Sequence, residues 1–243
     1  MNQQMLDQAA RENWITKTVL GACIVLFLMK MLRIDISSET NLQGLLMYDL
    51  PESFRHYWRG IYFSLLKNSS LDLFYVIRNS SLFERISQGE VWRIFTPALM
   101  HGSLMHIGFN LLWLHVIGQQ IERRIGVLRY IALILIAAAL SNTAQYLMTG
   151  YRFVGLSGVV CAMVCFVWAR QQINPWERYQ LEASTMRFLS IFVLGLAVLQ
   201  AFFFWMALWG SRHISLGIAN TAHIAGGLVG YALAQLDSFQ ARH

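Results

Sequence analysis

Ser157 stands in the run Val154-Gly155-Leu156-Ser157-Gly158, where a strongly apolar stretch resumes after a short break. His223 stands in Asn220-Thr221-Ala222-His223-Ile224-Ala225-Gly226-Gly227, inside the last apolar segment. A serine hydroxyl is a weak nucleophile until a neighbouring base takes its proton. Polar and ionisable groups within a membrane segment are costly and mark functional sites by default. The pair implies nucleophilic hydrolysis carried out inside a bilayer.

No lysine occurs from Phe95 to the C-terminus, and the acids there, Glu122, Glu177, Glu182 and Asp237, lie at loops or segment ends. A Ser-Lys pair and a buried Ser-His-Asp triad are therefore both excluded within the membrane, and His223 must act as base alone. A second polar cluster runs from His101 to Asn110 and sets His106 and Asn110 at i and i+4, on one helix face. Two donors on one face, close to a backbone N–H at a helix N-terminus, suit a developing oxyanion. The competing reading of the same two residues is an interhelical hydrogen-bond pair. His101, His106, His115, His213 and His223 are available as metal ligands, but there is no His-Glu-x-x-His and no nearby acid to complete or orient a zinc centre.

The elements that must position these groups follow from composition. Of the 243 residues 56% are hydrophobic and 13% charged, and the apolar residues come in long blocks, which is the pattern of a polytopic membrane protein. The net charge of +6 arises from basic residues scattered singly, which argues against a nucleic-acid surface. Cys23, Cys161 and Cys165 all lie in apolar stretches and form no disulfide framework; they read as packing residues.

Six spans are expected, near Trp14 to Leu32, Phe95 to Ile117, Val127 to Met148, Ser157 to Ala169, Phe188 to Leu208 and Leu216 to Leu236. The head from Met1 to Asn13 is not markedly basic and no small-x-small site follows the first span, so that span reads as a retained helix. Arg123, Arg124 and Arg129 lie between the second and third spans, and Arg170, Arg178 and Arg187 follow the fourth, whereas the alternate short loops hold only Arg152 and Arg212. Positive residues concentrate in short cytoplasmic loops, so both termini are expected in the cytoplasm, with residues 1–13 as a cytoplasmic head and 33–94 as a long outer loop. The middle of that loop, around Phe54 to Arg59 and Leu71 to Ile77, has the mixed periodicity of short interfacial helices.

The fourth span carries a mechanical consequence. From Ser157 to Ala169 it has 13 residues, or roughly 20 Å of helix against a hydrocarbon core of about 30 Å. With its end held at the cytoplasmic surface by Arg170, Gln171, Gln172 and Asn174-Pro175, its start must lie below the outer surface. The loop from Met148 to Leu156 then descends into the protein, which is tolerated only where backbone is buried or lines a water-filled cavity. Gly158-x-x-x-Ala162 and Gly226-x-x-x-Gly230 are small-residue stripes that let two helix backbones approach closely.

With these motifs in order, the chain resembles the rhomboid family of intramembrane serine proteases. The resemblance covers roughly Glu90 to Asp237. It rests on Glu90-Val91-Trp92-Arg93-Ile94-Phe95-Thr96-Pro97, His106-x-x-x-Asn110, Glu122-Arg123-Arg124-Ile125-Gly126, the Gly-x-Ser-Gly at Gly155 to Gly158, and Ala222-His223-x-x-Gly226. It implies a six-transmembrane-helix, all-α rhomboid-like bundle made as one domain, 1–243, that cleaves peptide bonds in or near transmembrane segments of other membrane proteins. In that reading Ser157 is nucleophile and His223 base, while the Ser157 amide, His106 and Asn110 form the oxyanion hole. Trp92 and Arg93 anchor the first outer loop at the membrane surface, and Glu122 and Arg124 brace the cytoplasmic end of the second and third spans. No metal, nucleotide or other cofactor is implied, and the partners are the lipid bilayer and transmembrane protein substrates. The lack of an organellar presequence and the compact plan favour a bacterial inner membrane.

One departure stands out: Cys161 occupies the position four residues after the nucleophile where bacterial members usually carry a tyrosine under the catalytic imidazole. Phe202-Phe203-Phe204-Trp205 on the fifth span reads either as a lateral substrate gate or as a bulky lipid-facing stripe. A rhomboid-like protein that binds membrane clients without cleaving them is the alternative function, but such proteins typically lack the serine or the histidine. A channel is disfavoured because the polar groups cluster at one depth instead of lining a path.

Overall fold

The computed structural model describes residues 4, 5, 8, 12–32, 42–48, 83–150, 152–208 and 219–241. Phe54 to Arg59, Leu71 to Ile77 and His213 lie outside the described residues. Among the described residues the regular structure is helical throughout: α1 (Trp14–Met31), α2 (Leu42–Leu46), α3 (Glu84–Ser87), α4 (Leu104–Trp113), α5 (Gln119–Ile125), α6 (Val127–Thr149), α7 (Ser157–Ile173), α8 (Ala183–Leu208) and α9 (Asn220–Ala234). Three of these, α1, α6 and α8, are long and apolar enough to cross a membrane by length and composition. The chain is an all-α integral membrane protein.

The expected second span begins later than the hydropathy suggests. Residues 91–99 form two 3-10 turns, Val91–Ile94 and Thr96–Leu99, with Pro97 at the start of the second. The helix starts only at Leu104, where the Ser103 hydroxyl accepts from the His106 N–H, an N-cap of the usual kind. From there α4 continues through a π-helical turn, Leu114–Gly118, into α5, so the rod runs from Leu104 to Ile125. The fourth helix also differs: it has 17 residues, ending at Ile173, which at about 1.5 Å per residue is still roughly 25 Å and short of a full crossing. Arg170 does not hold its end at a solvated surface. It is buried, donating to the Ala234 carbonyl at the end of α9 at 2.9 Å and pairing with the buried Glu177.

α7 is the centre of the bundle. Val159, Ala162, Met163, Phe166 and Val167 are all shut away from the surface, and the helix packs most extensively on α9, which packs next on α6. The reason is the pair of small stripes. A Cβ on Gly226 would collide with the Gly158 carbonyl, and one on Gly230 with the Ala162 carbonyl; only glycine lets α9 lie this close to α7. α8, by contrast, exposes most of its apolar surface.

At the end of α4–α5 away from Ser103, Glu122 is fully buried and accepts from Ile15 N (2.8 Å), Thr16 N (2.9 Å) and Thr16 Oγ1 (2.7 Å). It therefore caps the N-terminus of α1, where unpaired N–H groups and the helix dipole favour an anion. The expectation that it braces the second and third spans is corrected: it ties the first span to the second, and α6 joins through a Thr16–Tyr130 hydrogen bond. Arg124 is likewise reassigned. It donates to the Glu177 and Arg178 carbonyls and lies over the Tyr179 ring, clamping the turn after α7.

The loop between α1 and α4 is held near its start by residues of its far end. Arg93 Nη1 donates to Gly44 O and Met47 O, Trp92 Nε1 to Leu45 O, and Thr96 Oγ1 to Leu46 O. Together they satisfy the last carbonyls of α2, where a cation is also favoured by the dipole. Arg93 is 1% exposed and paired with Glu90, so it holds the loop from within, while Trp92 remains exposed.

Candidate active site

Ser157 is the first residue of α7, and Gly155 before it takes φ +128, a left-handed conformation that glycine alone adopts without strain. The Gly155 N–H donates to Pro97 O at 2.9 Å, which fixes the approach of the chain to the helix start. A Cβ at Gly155 would run into the His106 imidazole, so the glycine also admits that ring. As the opening residue of a helix, Ser157 presents a backbone N–H that no intrahelical carbonyl claims.

His223 lies on the first turn of α9 and is buried. Its Nε2 stands 2.8 Å from Ser157 Oγ, a full hydrogen bond between residues brought together from 66 positions apart. Its Nδ1 is buried and, among the described residues, has no hydrogen-bond partner. Among the described residues no carboxylate is hydrogen-bonded to the imidazole. An imidazole in this relation can take the hydroxyl proton as the oxygen attacks and return it later.

His106 and Asn110 both reach the same cavity as Ser157 and His223. Asn110 is 1% exposed; its Nδ2 donates to the His106 carbonyl at 3.0 Å, which leaves one amide hydrogen uncommitted, and its Oδ1 has no partner. The His101 ring stands edge-on to His106 at 5.1 Å between centroids, and Lys30 from α1 donates to the His101 carbonyl at 3.0 Å, steadying the turn before α4. His115 is turned away to Gln119. Among the described residues no group of three or more His, Cys, Asp or Glu side chains is arranged to hold a metal ion.

The cavity is large, about 990 Å³, and mostly apolar, running between α4, α7, α8 and α9. Cys161 and Cys165 line it from α7, with Cys165 Sγ against the backbone of Gly227, one turn beyond His223. The α8 wall is formed by residues between Met186 and Ala197. Phe202 and Trp205 lie higher on α8, exposed and stacked on one another, outside the cavity wall; the side chains of Phe203 and Phe204 lie outside the described residues.

Three polar residues of α6 were not singled out in the sequence, although a run of them in an apolar 23-residue helix is the same signal that marks His223. Ser141 packs where a Cβ on Gly158 would fall. Asn142 donates to Ile94 O at 2.9 Å. Gln145 accepts from the Ala222 N–H at 2.9 Å, next to the base. Asn220, at the start of α9, is in turn hydrogen-bonded to Gln200 of α8.

A family profile described as the rhomboid domain matches residues 88–238, well over half of the chain.

Proposed function

The chain belongs to the rhomboid family, and from that premise we propose that it is an intramembrane serine endopeptidase working through a Ser157–His223 dyad. The observation that carries the proposal is the 2.8 Å hydrogen bond between His223 Nε2 and Ser157 Oγ beside a cavity of about 990 Å³. A protein that only bound membrane clients would have no need to keep these two groups in register.

In the proposed reaction Ser157 Oγ attacks the scissile carbonyl while His223 Nε2 takes its proton. In this reading the oxyanion that forms is met by the Ser157 N–H, the second amide hydrogen of Asn110 and the His106 ring, three residues that line the same cavity. The protonated His223 then gives its proton to the departing amine, leaving an acyl-enzyme. A water molecule, deprotonated by the same imidazole, attacks the ester and regenerates Ser157. The substrates are transmembrane segments of other proteins with a small residue at the cleaved bond and helix-weakening residues beside it, because a peptide bond must leave its helix to reach a buried hydroxyl. The chain acts as one domain over residues 1–243, with residues 1–13 and the C-terminus in the cytoplasm of a bacterial cell and the dyad nearer the outer face of its inner membrane.

The test is labelling of the detergent-solubilised protein with a fluorophosphonate probe, read by peptide mass, beside cleavage of a reporter transmembrane substrate. Label is expected on Ser157, and Ser157→Ala and His223→Ala should each abolish both label and cleavage. Cleavage that persists in purified Ser157→Ala would refute the mechanism.

A further inference from the structure

The helix that bears the base, α9, opens after Ala219, which offers no side-chain cap; among the described residues its first-turn N–H groups, which have no intrahelical carbonyl, receive no local side-chain acceptor. The acceptor comes from another helix. Gln145 of α6, 2% exposed, accepts from Ala222 N at 2.9 Å, and Ala222 is the residue directly before His223. The amide is held the right way round: its Nε2 donates to Thr149 Oγ1 at 2.7 Å, and that hydroxyl donates back to the main-chain carbonyl of Gln145 at 3.2 Å. Turning the amide over would set one N–H against another at Ala222.

The same face of α6 also gauges α7. One turn earlier Ser141 fills the space beside Gly158, adjacent to Ser157, so close that a Cβ on Gly158 would sit 2.8 Å from Ser141 Cβ. α6 therefore touches both dyad helices at the residues next to the reacting groups. The His223 ring itself is held by Ser157 on one nitrogen and, among the described residues, by nothing on the other. Its position depends on its backbone.

We propose that Gln145 is a positioning residue for the reaction: by capping α9 at Ala222 it fixes the backbone from which His223 reaches Ser157, a task that a carboxylate on the imidazole performs in a triad. The inference rests on the proposed Ser157–His223 dyad. Geometry at this level matters because a misplacement of about 1 Å can cost about a hundredfold in rate.

The full chain in detergent is compared with Gln145→Met, similar in size but without the acceptor, Gln145→Glu, which keeps a carbonyl at that place, and Thr149→Val, which frees the amide to turn. Cleavage kinetics and the rate of fluorophosphonate labelling are measured well below each variant's melting temperature. Gln145→Met should lower kcat and the labelling rate together by about tenfold or more, with KM changed less than about twofold, since the loss is in the reacting geometry. Gln145→Glu should recover most of the rate, and Thr149→Val should fall between wild type and Gln145→Met. Wild-type kcat in folded Gln145→Met overturns the proposal, and so does an effect confined to melting temperature or KM. If Gln145→Met does not fold, unchanged kcat and labelling in Thr149→Val overturn it. A wild type that neither cleaves nor labels at Ser157 removes the dyad and this role with it, whereas a labelled wild type beside an unaffected Gln145→Met removes this role alone.

Discussion

Adding one methyl group at Gly226 should raise the activation barrier and lower the stability by comparable free energies. The glycine lies three residues beyond His223 and faces α7, where a Cβ would come within 2.8 Å of the Gly158 carbonyl carbon and 3.1 Å of its Cα, with the carbonyl oxygen nearer still. Uncrowded carbon contacts lie at about 3.5–4.0 Å, so the two helices must part by about 1 Å at this level. Backbone against backbone offers no flexible side chain to give way. His223 is carried along on the same turn, and its 2.8 Å bond to Ser157 stretches to about 3.8 Å, outside hydrogen-bonding range. The expected loss in kcat for Gly226→Ala is therefore about a hundredfold, while overpacking of this kind typically removes about 1–3 kcal/mol of stability. Cleavage of a reporter transmembrane substrate, fluorophosphonate labelling and thermal denaturation in the same detergent separate the two. A kcat within about twofold of wild type in Gly226→Ala would refute the claim that this contact sets the dyad distance.

Other consequences are open to measurement. Asn110→Ala or His106→Ala should slow cleavage by about 10²–10³ while the fold is retained, since each removes one oxyanion donor; full activity in both would leave them a structural role only, and loss of wild-type activity on chelation would point to a metal. Arg170→Met leaves the Glu177 carboxylate buried without its charge partner and should destabilise by about 3–5 kcal/mol in chemical denaturation, with Arg170→Met/Glu177→Leu recovering much of it; equal stability of single and double variants would refute the pairing. Cys161→Tyr adds a ring at a position that already lines a cavity of about 990 Å³, so turnover should be kept or raised with little change in melting temperature. Cys161→Ala should change little, and a strong loss of activity there would show that the thiol itself takes part.

Much of this protein is decided by residue order alone. Long apolar blocks fix the membrane class because hydrocarbon tolerates only backbone that is hydrogen-bonded within itself. Gly-x-Ser-Gly followed by a late intramembrane histidine, with no lysine or buried acid to serve instead, designates Ser157 and His223 as candidates before any coordinate is seen. The two small-residue stripes likewise foretell that α7 and α9 touch, since the absence of side chains is itself the contact surface. What sequence could not decide is where each polar group finds its partner, because hydrogen bonds and ion pairs are satisfied across space and carry no mark of sequence distance. Glu122 looks like the end of a span but caps α1 at Ile15 and Thr16. Arg170 looks like a surface anchor but is buried against Glu177 and the end of α9. The start of α4 was set by the Ser103 cap and the turns around Pro97, local backbone chemistry that hydropathy averages away. Above all, the 2.8 Å between Ser157 and His223, and the reach of Gln145 to the backbone beside that histidine, come only from the way three helices pack. In a bundle whose long helices are apolar, composition allows many registers, and the glycine contacts and buried polar bonds select one.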